Sequence, residues 1–291
     1  GENTVIEGLT FRNGTGSWYL GQNVGGAIFA LGSDAVIRDC IFHDHFVEGN
    51  CGAISAYASD LRIEGCLFRD NVARTGDGGA AIATNGGADC LILNCVFIRN
   101  DAVFFGGAIN NLGADPVIAN CLFIGNEAAM GGAVRNSGAD PVIVNCTFLG
   151  NQSQFGGGVR SSSGGVPEIY NSVFSQNVPD DVLDLAGAVT TVANCMLQQE
   201  WNGLGGDNVL EMPIFVDAVG PDGEPATGDE DLRLVSGSGA VETGANAWLP
   251  AGLDFDLDDQ TRIRDGDNDG IAVVDLGPFE AVLFPDPLDI N

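Results

Sequence analysis

The chain of 291 residues contains no lysine: all 11 of its basic residues are arginine, against 40 Asp and Glu, for a formal net charge of −29. A nucleic-acid partner needs a basic footprint on its phosphates, so this balance excludes one. It also disfavours an anionic lipid surface. Only two histidines occur, His43 and His45, and there is no Cys-x-x-Cys, so the makings of a zinc centre are missing. No apolar run approaches about 18 residues, which leaves no membrane span. Glycine is plentiful at 43 residues, yet no Gly-X-Y period runs through it; collagen is excluded and many tight turns are implied. A hydrophobic content of 45% argues against disorder. The first residue is Gly1, so a secretion signal has been removed or never formed part of this sequence.

What is present is a repeat. Aligned on Cys-x-Phe, the chain falls into register at Cys40/Phe42, Cys66/Phe68, Cys95/Phe97, Cys121/Phe123 and Cys146/Phe148, with weaker copies at Leu9/Phe11, Ser172/Phe174 and Cys195/Leu197. The anchors are 31, 26, 29, 26, 25, 26 and 23 residues apart, which makes eight rungs of about 26 residues. Other columns keep step. Asn precedes the anchor at Asn94, Asn120, Asn145, Asn171 and Asn194, and a second Asn follows it at Asn71, Asn100, Asn126, Asn151 and Asn177. Asp stands six residues ahead of it at Asp34, Asp60, Asp89, Asp115 and Asp140. Gly-Gly-Ala precedes an apolar step at Ile28, Ile109 and Val134.

Each rung reads as three short strands: in one of them Gly132-Ala133-Val134, Val142-Ile143-Val144 and Cys146-Thr147-Phe148. Period-two alternation points Cys146 and Phe148 the same way, and the phenyl group belongs inside. Coils stacked about 4.8 Å apart pile like residues into ladders. Asn in a tight turn tolerates left-handed geometry, and its amide can bond its counterparts above and below. No segment has a 3.6-residue period, so a helical repeat fails. The expected fold is an all-β, right-handed parallel β-helix, almost free of α-helix. Residues 1–200 form its rungs, and residues 201–291 its last coils and an acidic C-terminal cap.

The pattern Gly-Gly-Ala-Ile, Asn-Cys-x-Phe, Asn resembles the pectate-lyase-like superfamily of right-handed β-helices. Within it the chain is similar to secreted bacterial β-helix-repeat proteins and to the repeats of chlamydial polymorphic outer-membrane proteins. The segment from Asp231-Leu232-Arg233-Leu234 through Asp256-Leu257-Asp258 to Val274-Asp275-Leu276-Gly277-Pro278-Phe279-Glu280 looks like the ending of many such surface proteins. The resemblance implies a secreted or cell-surface location. It does not imply one activity, because this fold hosts lyases, hydrolases and adhesins alike.

Six of the eight cysteines share one inward column, where parallel Cβ vectors are poor disulfide geometry, so a stack of free thiols is expected. Cys51 and Cys90 lie off it. His45 falls where other rungs carry the second Asn, and filling that turn is its simplest role. The Asp column would repel itself by nearly 1 kcal/mol per neighbouring pair even in water, so backbone N–H groups are expected to compensate it. Asp265-Gly266-Asp267-Asn268-Asp269-Gly270 offers alternate carboxylates and a turn glycine, the first half of an EF-hand-type calcium loop. A structural Ca²⁺ is therefore expected at Asp265, Asp267 and Asp269, with Asp275 or the Ile271 carbonyl completing the shell.

The outward positions after Gly-Gly-Ala read Phe29, Ser55, Ala83, Asn110, Arg135 and Arg160. Arg135 and Arg160 on neighbouring rungs can clamp a carboxylate, with Asn110 beside them. Lyases of this fold generally set a basic residue beside a calcium-binding carboxylate cluster; this face has no Asp, Glu or Lys, and no glycosidase pair stands out. The expected function is a non-catalytic scaffold of adhesin type with a polysaccharide or cell-surface partner. The alternative is a carbohydrate-active enzyme, a polysaccharide lyase or glycoside hydrolase. A first rung at Val5–Phe11 with interior character, and Leu288-Asp289-Ile290-Asn291 resembling the start of a dockerin-type repeat, point to a segment of a longer chain or to end-to-end self-association through open ends.

Overall fold

The computed structural model describes residues 4–19, 22–76, 78–265 and 270–281. Chain segments of two to five residues recur at the repeat interval and pair in parallel with their counterparts on adjacent rungs, giving a right-handed β-solenoid. The first ladder has nine strands, from Val5–Glu7 to Leu204–Gly206. The second has seven, from Thr10–Arg12 to Val173–Ser175, and holds the Cys-x-Phe motif. The Gly-Gly-Ala strands form another seven-stranded ladder, from Ile28–Leu31 to Val182–Asp184. Between these two lies a shorter ladder of five strands, from Phe46–Val47 to Gln152–Phe155, which the repeat pattern did not disclose. In chain order it is the third ladder and the Gly-Gly-Ala ladder the fourth. Among the described residues the only helical turn is the 3-10 turn Asn246–Trp248.

Register makes the core. Phe11, Phe42, Phe68, Phe97, Phe123, Phe148 and Phe174 stack in one column, with neighbouring ring centroids 4.6–5.0 Å apart and planes within 7°. Each such pair adds about 0.5–1.5 kcal/mol beyond the area it buries. Ile37, Ile63, Ile92, Ile118, Ile143 and Ile169 form the matching column of the first ladder, all buried. The six column cysteines are buried free thiols. Each donates to the carbonyl two residues earlier, as Cys95 Sγ does to Leu93 O at 3.1 Å and Cys121 Sγ to Ala119 O at 3.2 Å. Ser172, which replaces cysteine in this column, bonds Tyr170 O in the same way at 2.8 Å. Cys51 and Cys90 are free and buried as well, and desolvation pushes both thiols up to about 12, so neither is a nucleophile at neutral pH.

The two asparagine columns differ in function. The second is a wholly internal ladder. Asn71, Asn100, Asn126 and Asn151 each donate to the next Asn carbonyl at 2.8–3.0 Å. Each also donates to a phenylalanine carbonyl of the preceding rung, as Asn126 Nδ2 does to Phe97 O at 3.0 Å. A second internal polar line runs through the fourth ladder: Thr84 bonds Asn111, Asn111 bonds Asn136, and Ser161 meets Thr190, which ends on Asp184. Every buried donor here requires a partner, and the polar residue in register on the next rung supplies it. The first column occupies the corner between ladders one and two, where Asn94, Asn120, Asn145, Asn171 and Asn194 all adopt positive φ near 50°. The Asp column is compensated from the neighbouring rung: Asp89 N, Asp115 N and Asp140 N each donate to the Oδ1 of the preceding Asp at 2.7–2.9 Å.

After Leu204–Gly206 the chain leaves the stack and runs back along its flank. A two-stranded antiparallel pair, Phe215–Asp217 with Asp231–Leu234, begins this strap. Phe215, Leu232, Leu234, Leu276 and Phe279 cover the outward residues Leu122, Ile124, Leu149, Val173 and Met196 of the second ladder and its extension. The corner asparagines hold it. Asn120 Nδ2 donates to Phe255 O at 3.0 Å, Asn145 Nδ2 to Asp275 O at 3.2 Å, and Asn171 exchanges two bonds with Ala245. Trp248 Nε1 reaches Asn194 Oδ1, and the Trp248 ring stacks on Tyr170 at 3.9 Å. Inside the strap Arg262 pairs with Glu280 at 2.7 Å, both side chains 1% exposed, and reaches Asn120 Oδ1.

His45 takes the terminal place in the internal asparagine ladder: Gly14 N donates to its Nδ1 at 2.9 Å, and His45 N donates to Asn71 Oδ1 at 3.3 Å. Burial, then the neighbouring His43, lowers its basicity. Its folded pKa therefore lies below the unfolded value. The stability it contributes is present above about pH 6.5 and lost as pH falls through the folded pKa, when a proton on Nδ1 would face the Gly14 N–H. His45→Asn should supply the same acceptor without titrating. Amide-exchange protection of Gly14 should drop on acidification in the parent and stay level in the variant. Equal pH dependence in both would refute the assignment.

Candidate ligand-contacting face

The outer face of the fourth ladder begins with Phe29, Ser55 and Ala83 and continues through Asn110, Arg135 and Arg160 to Leu183, in direct register. The three residues expected to bind a ligand are thus brought together on consecutive rungs. Arg135 donates to Asn110 Oδ1 at 2.9 Å, and its guanidinium lies 4.0 Å from the centroid of the Phe105 ring. Phe105, Met130 and Phe155 are themselves in register on the third ladder and wall this column along one side. The sequence reading missed this wall. Phe105 follows its Cys anchor by ten residues, Met130 and Phe155 theirs by nine, because an irregularity between Ala102 and Phe105 shifts the register.

Glycine makes room for the arginines. Gly131 and Gly156 sit at the bend between the ladders with φ of 73° and 69°. A Cβ at Gly131 would lie 2.9 Å from the Arg135 Cβ, and one at Gly156 3.0 Å from the Arg160 Cβ. A side chain at either position would meet left-handed strain and displace the arginine. Arg160 is half-buried, and burial alone lowers its pKa. Its Nε is shielded and lacks a hydrogen-bond partner among the described residues, and its Nη1 reaches Ser162 Oγ only at 3.5 Å. Among the described residues Arg160 forms no ion pair, whereas Arg38, Arg62, Arg69, Arg74, Arg99, Arg233 and Arg262 all do. A desolvated guanidinium with spare donors is chemically suited to an incoming anion.

The residues expected to bind calcium are distributed differently. Asp265 Oδ2 accepts Gly270 N at 3.0 Å, and its Oδ1 is shielded from solvent with no partner among the described residues. Asp267 and Asp269 lie outside the described residues. Ile271 is exposed. Asp275 is buried inside the strap, where its two oxygens accept Glu242 N and Ala281 N. Desolvation, reinforced by Glu280, pushes its pKa up to about 7. Among the described residues no three His, Cys, Asp or Glu side chains converge as a metal site, and no helix is long and apolar enough to cross a membrane.

No curated protein matches the chain significantly. Residues 1–114 and 26–197, two overlapping stretches, match the family described as "Right handed beta helix region". Together they take in well over half of the sequence and coincide with the ladders from Val5 to Ala193. The chain belongs to the right-handed β-helix family.

Proposed function

We propose that this β-helix is a non-catalytic scaffold of adhesin type that works outside the cell or at its surface and contacts carbohydrate through the outer face of the fourth ladder. The observation that carries this reading is Arg160, a half-buried cation with spare donors on an otherwise acidic chain, beside Arg135 stacked on Phe105. Aromatic and apolar rows flanking donors suit a sugar chain, whose faces are apolar and whose edges are polar. An anionic substituent on that chain would meet the guanidinium groups. The outward column from Phe29 to Leu183 contains no carboxylate to act as acid, base or nucleophile.

A glycan array should yield hits that Arg160→Ala weakens at least about tenfold, in line with loss of one charge-assisted contact. Arg135→Ala should act similarly, and no hit should be turned over on prolonged incubation. Cleavage of any hit would replace this reading by the enzymatic one, and unchanged affinity in both variants would remove the face from consideration.

We further propose a structural Ca²⁺ at the loop from Asp265 to Ile271. Asp265 Oδ1, without a partner among the described residues, is an oxygen of the kind the ion takes, and the Ile271 carbonyl is near enough in sequence to join it. Calcium should raise the melting temperature and chelator should reverse the rise, an effect that Asp265→Asn reduces. A flat calorimetric titration would dispose of this site.

A further inference from the structure

The strap covers only part of the corner it follows. Three features of its docking surface continue past its edge toward the N-terminus. The corner column runs on from Asn120 to Asn94, Gly65 and Asp39. Asn94 accepts Asn120 Nδ2 on its Oδ1 at 2.9 Å, but among the described residues its own Nδ2 has no partner, whereas that of Asn120 holds the strap carbonyl of Phe255. The apolar column also runs on: Leu122 and Val173 are buried under the strap, while in the same register Val96 and Leu67 are half-exposed and Ile41 is 38% exposed. Between ladder and strap lies a groove of about 590 Å³, lined by Arg38, Asp39, Glu64, Gly65, Asn94 and Val96 on one side and by Asp256, Leu257 and Asp259 on the other.

Charge selects the occupant. Of the groove's cation and carboxylates, Arg38 is held by Glu7 and Glu64 by Arg62, each at 2.9 Å, and Asp256 is buried and accepts the backbone N–H groups of Asp258, Gln260 and Glu280, so Asp39 and Asp259 are the carboxylates left for an incoming cation. Asp39 and Asp259 are exposed on its two rims. Two rung steps separate Asn94 from Asp39, about 10 Å, the reach of three residues of extended chain. The strap itself shows the binding mode: backbone carbonyls on corner asparagines, apolar side chains on the outward column of the second ladder.

We propose that this groove is a docking site for an extended basic peptide segment of a partner protein, which continues the path of the strap with a carbonyl on Asn94, an apolar side chain over Leu67 and Val96, and arginine or lysine facing Asp39 and Asp259. The site is separate from the arginine face and does not depend on its function.

The probe is a fluorescein-tagged hexapeptide alternating arginine with leucine, compared with its glutamate counterpart by fluorescence anisotropy at physiological salt. Only the arginine peptide should bind. Asn94→Gly, which keeps the positive φ already used by Gly65 in this column, should weaken it about fivefold, the value of one hydrogen bond. Asp39→Asn with Asp259→Asn should weaken it at least as much. Asp115→Asn with Asp140→Asn, on the exposed Asp column, should leave it within twofold. Bound peptide should protect amides near Gly65 and Val96 from exchange. The proposal is overturned by equal binding of the two peptides, by no binding at millimolar concentration, or by Asp115/Asp140 losses that match those of the groove variants. It is equally overturned if protection falls elsewhere, or if a neutral oligosaccharide competes for the groove.

Discussion

Replacing Arg262 with methionine is expected to cost about 3–5 kcal/mol, the usual penalty for leaving one member of a buried ion pair alone. The guanidinium bonds Glu280 Oε1, Asn120 Oδ1 and the Gly277 carbonyl, so it joins two turns of the strap to the solenoid corner. Methionine retains much of the volume but leaves a carboxylate that is only 1% exposed without its counter-charge. The loss should concentrate in the strap, as rapid proteolysis after residue 206 while the ladders persist. Removing both charges, as Arg262→Met with Glu280→Leu, should recover more than half of the loss, because a wholly apolar replacement of a buried pair is often near neutral. Denaturation in guanidinium chloride, followed with a time course of limited proteolysis, measures both. A single variant within 1 kcal/mol of the parent, or a double variant no better than the single, would contradict the assignment.

The second large effect is expected at Asn126. This side chain is fully buried and makes four hydrogen bonds: it donates to Phe97 O and Asn151 Oδ1, and its Oδ1 accepts Asn100 N and Asn100 Nδ2, all at 2.9–3.0 Å. Leucine has similar volume and none of this capacity. Each stranded buried group costs about 1–3 kcal/mol, so Asn126→Leu should destabilise by at least about 4 kcal/mol and lower the yield of folded protein. Asn13, an exposed residue on a left-handed turn of the first rung, provides the contrast: Asn13→Gly should change stability by less than about 0.5 kcal/mol. Urea midpoints of the two variants decide it, and similar values would mean that the internal ladder contributes little.

The architecture was legible because the solenoid repeats one physical problem at a nearly constant interval. Phe42, Phe68 and Phe97 must meet inside, and Asn71, Asn100 and Asn126 must satisfy one another, so residue identity and register carry the same information. Legibility ended where that coincidence ended. Thr84, Asn111, Asn136 and Ser161 share a column but not a residue type, so the second polar line was invisible until the strands were paired. The corner asparagines were correctly read as left-handed turns, but their other task depends on strap residues 54 to 142 positions away, and no local pattern encodes such a contact. Asn110, Arg135 and Arg160 were placed on one face by counting alone, while the aromatic wall beside them was hidden by the one-residue shift in the third ladder.

The strap gives the molecule uneven mechanics. In the solenoid the covalent chain circles the axis and the ladder bonds run along it, so a pull along the axis loads one rung's hydrogen bonds at a time, as turns separate in a coil spring. From Arg99, whose guanidinium holds the Thr227 carbonyl, to Asn194, bonded by Trp248, the strap bridges successive rungs and shares that tension in parallel, like a splint. Among the described residues no such bond from the strap reaches the coils before Asn94. Under axial force they should extend first and at lower tension, leaving the splinted part intact as a stiff rod.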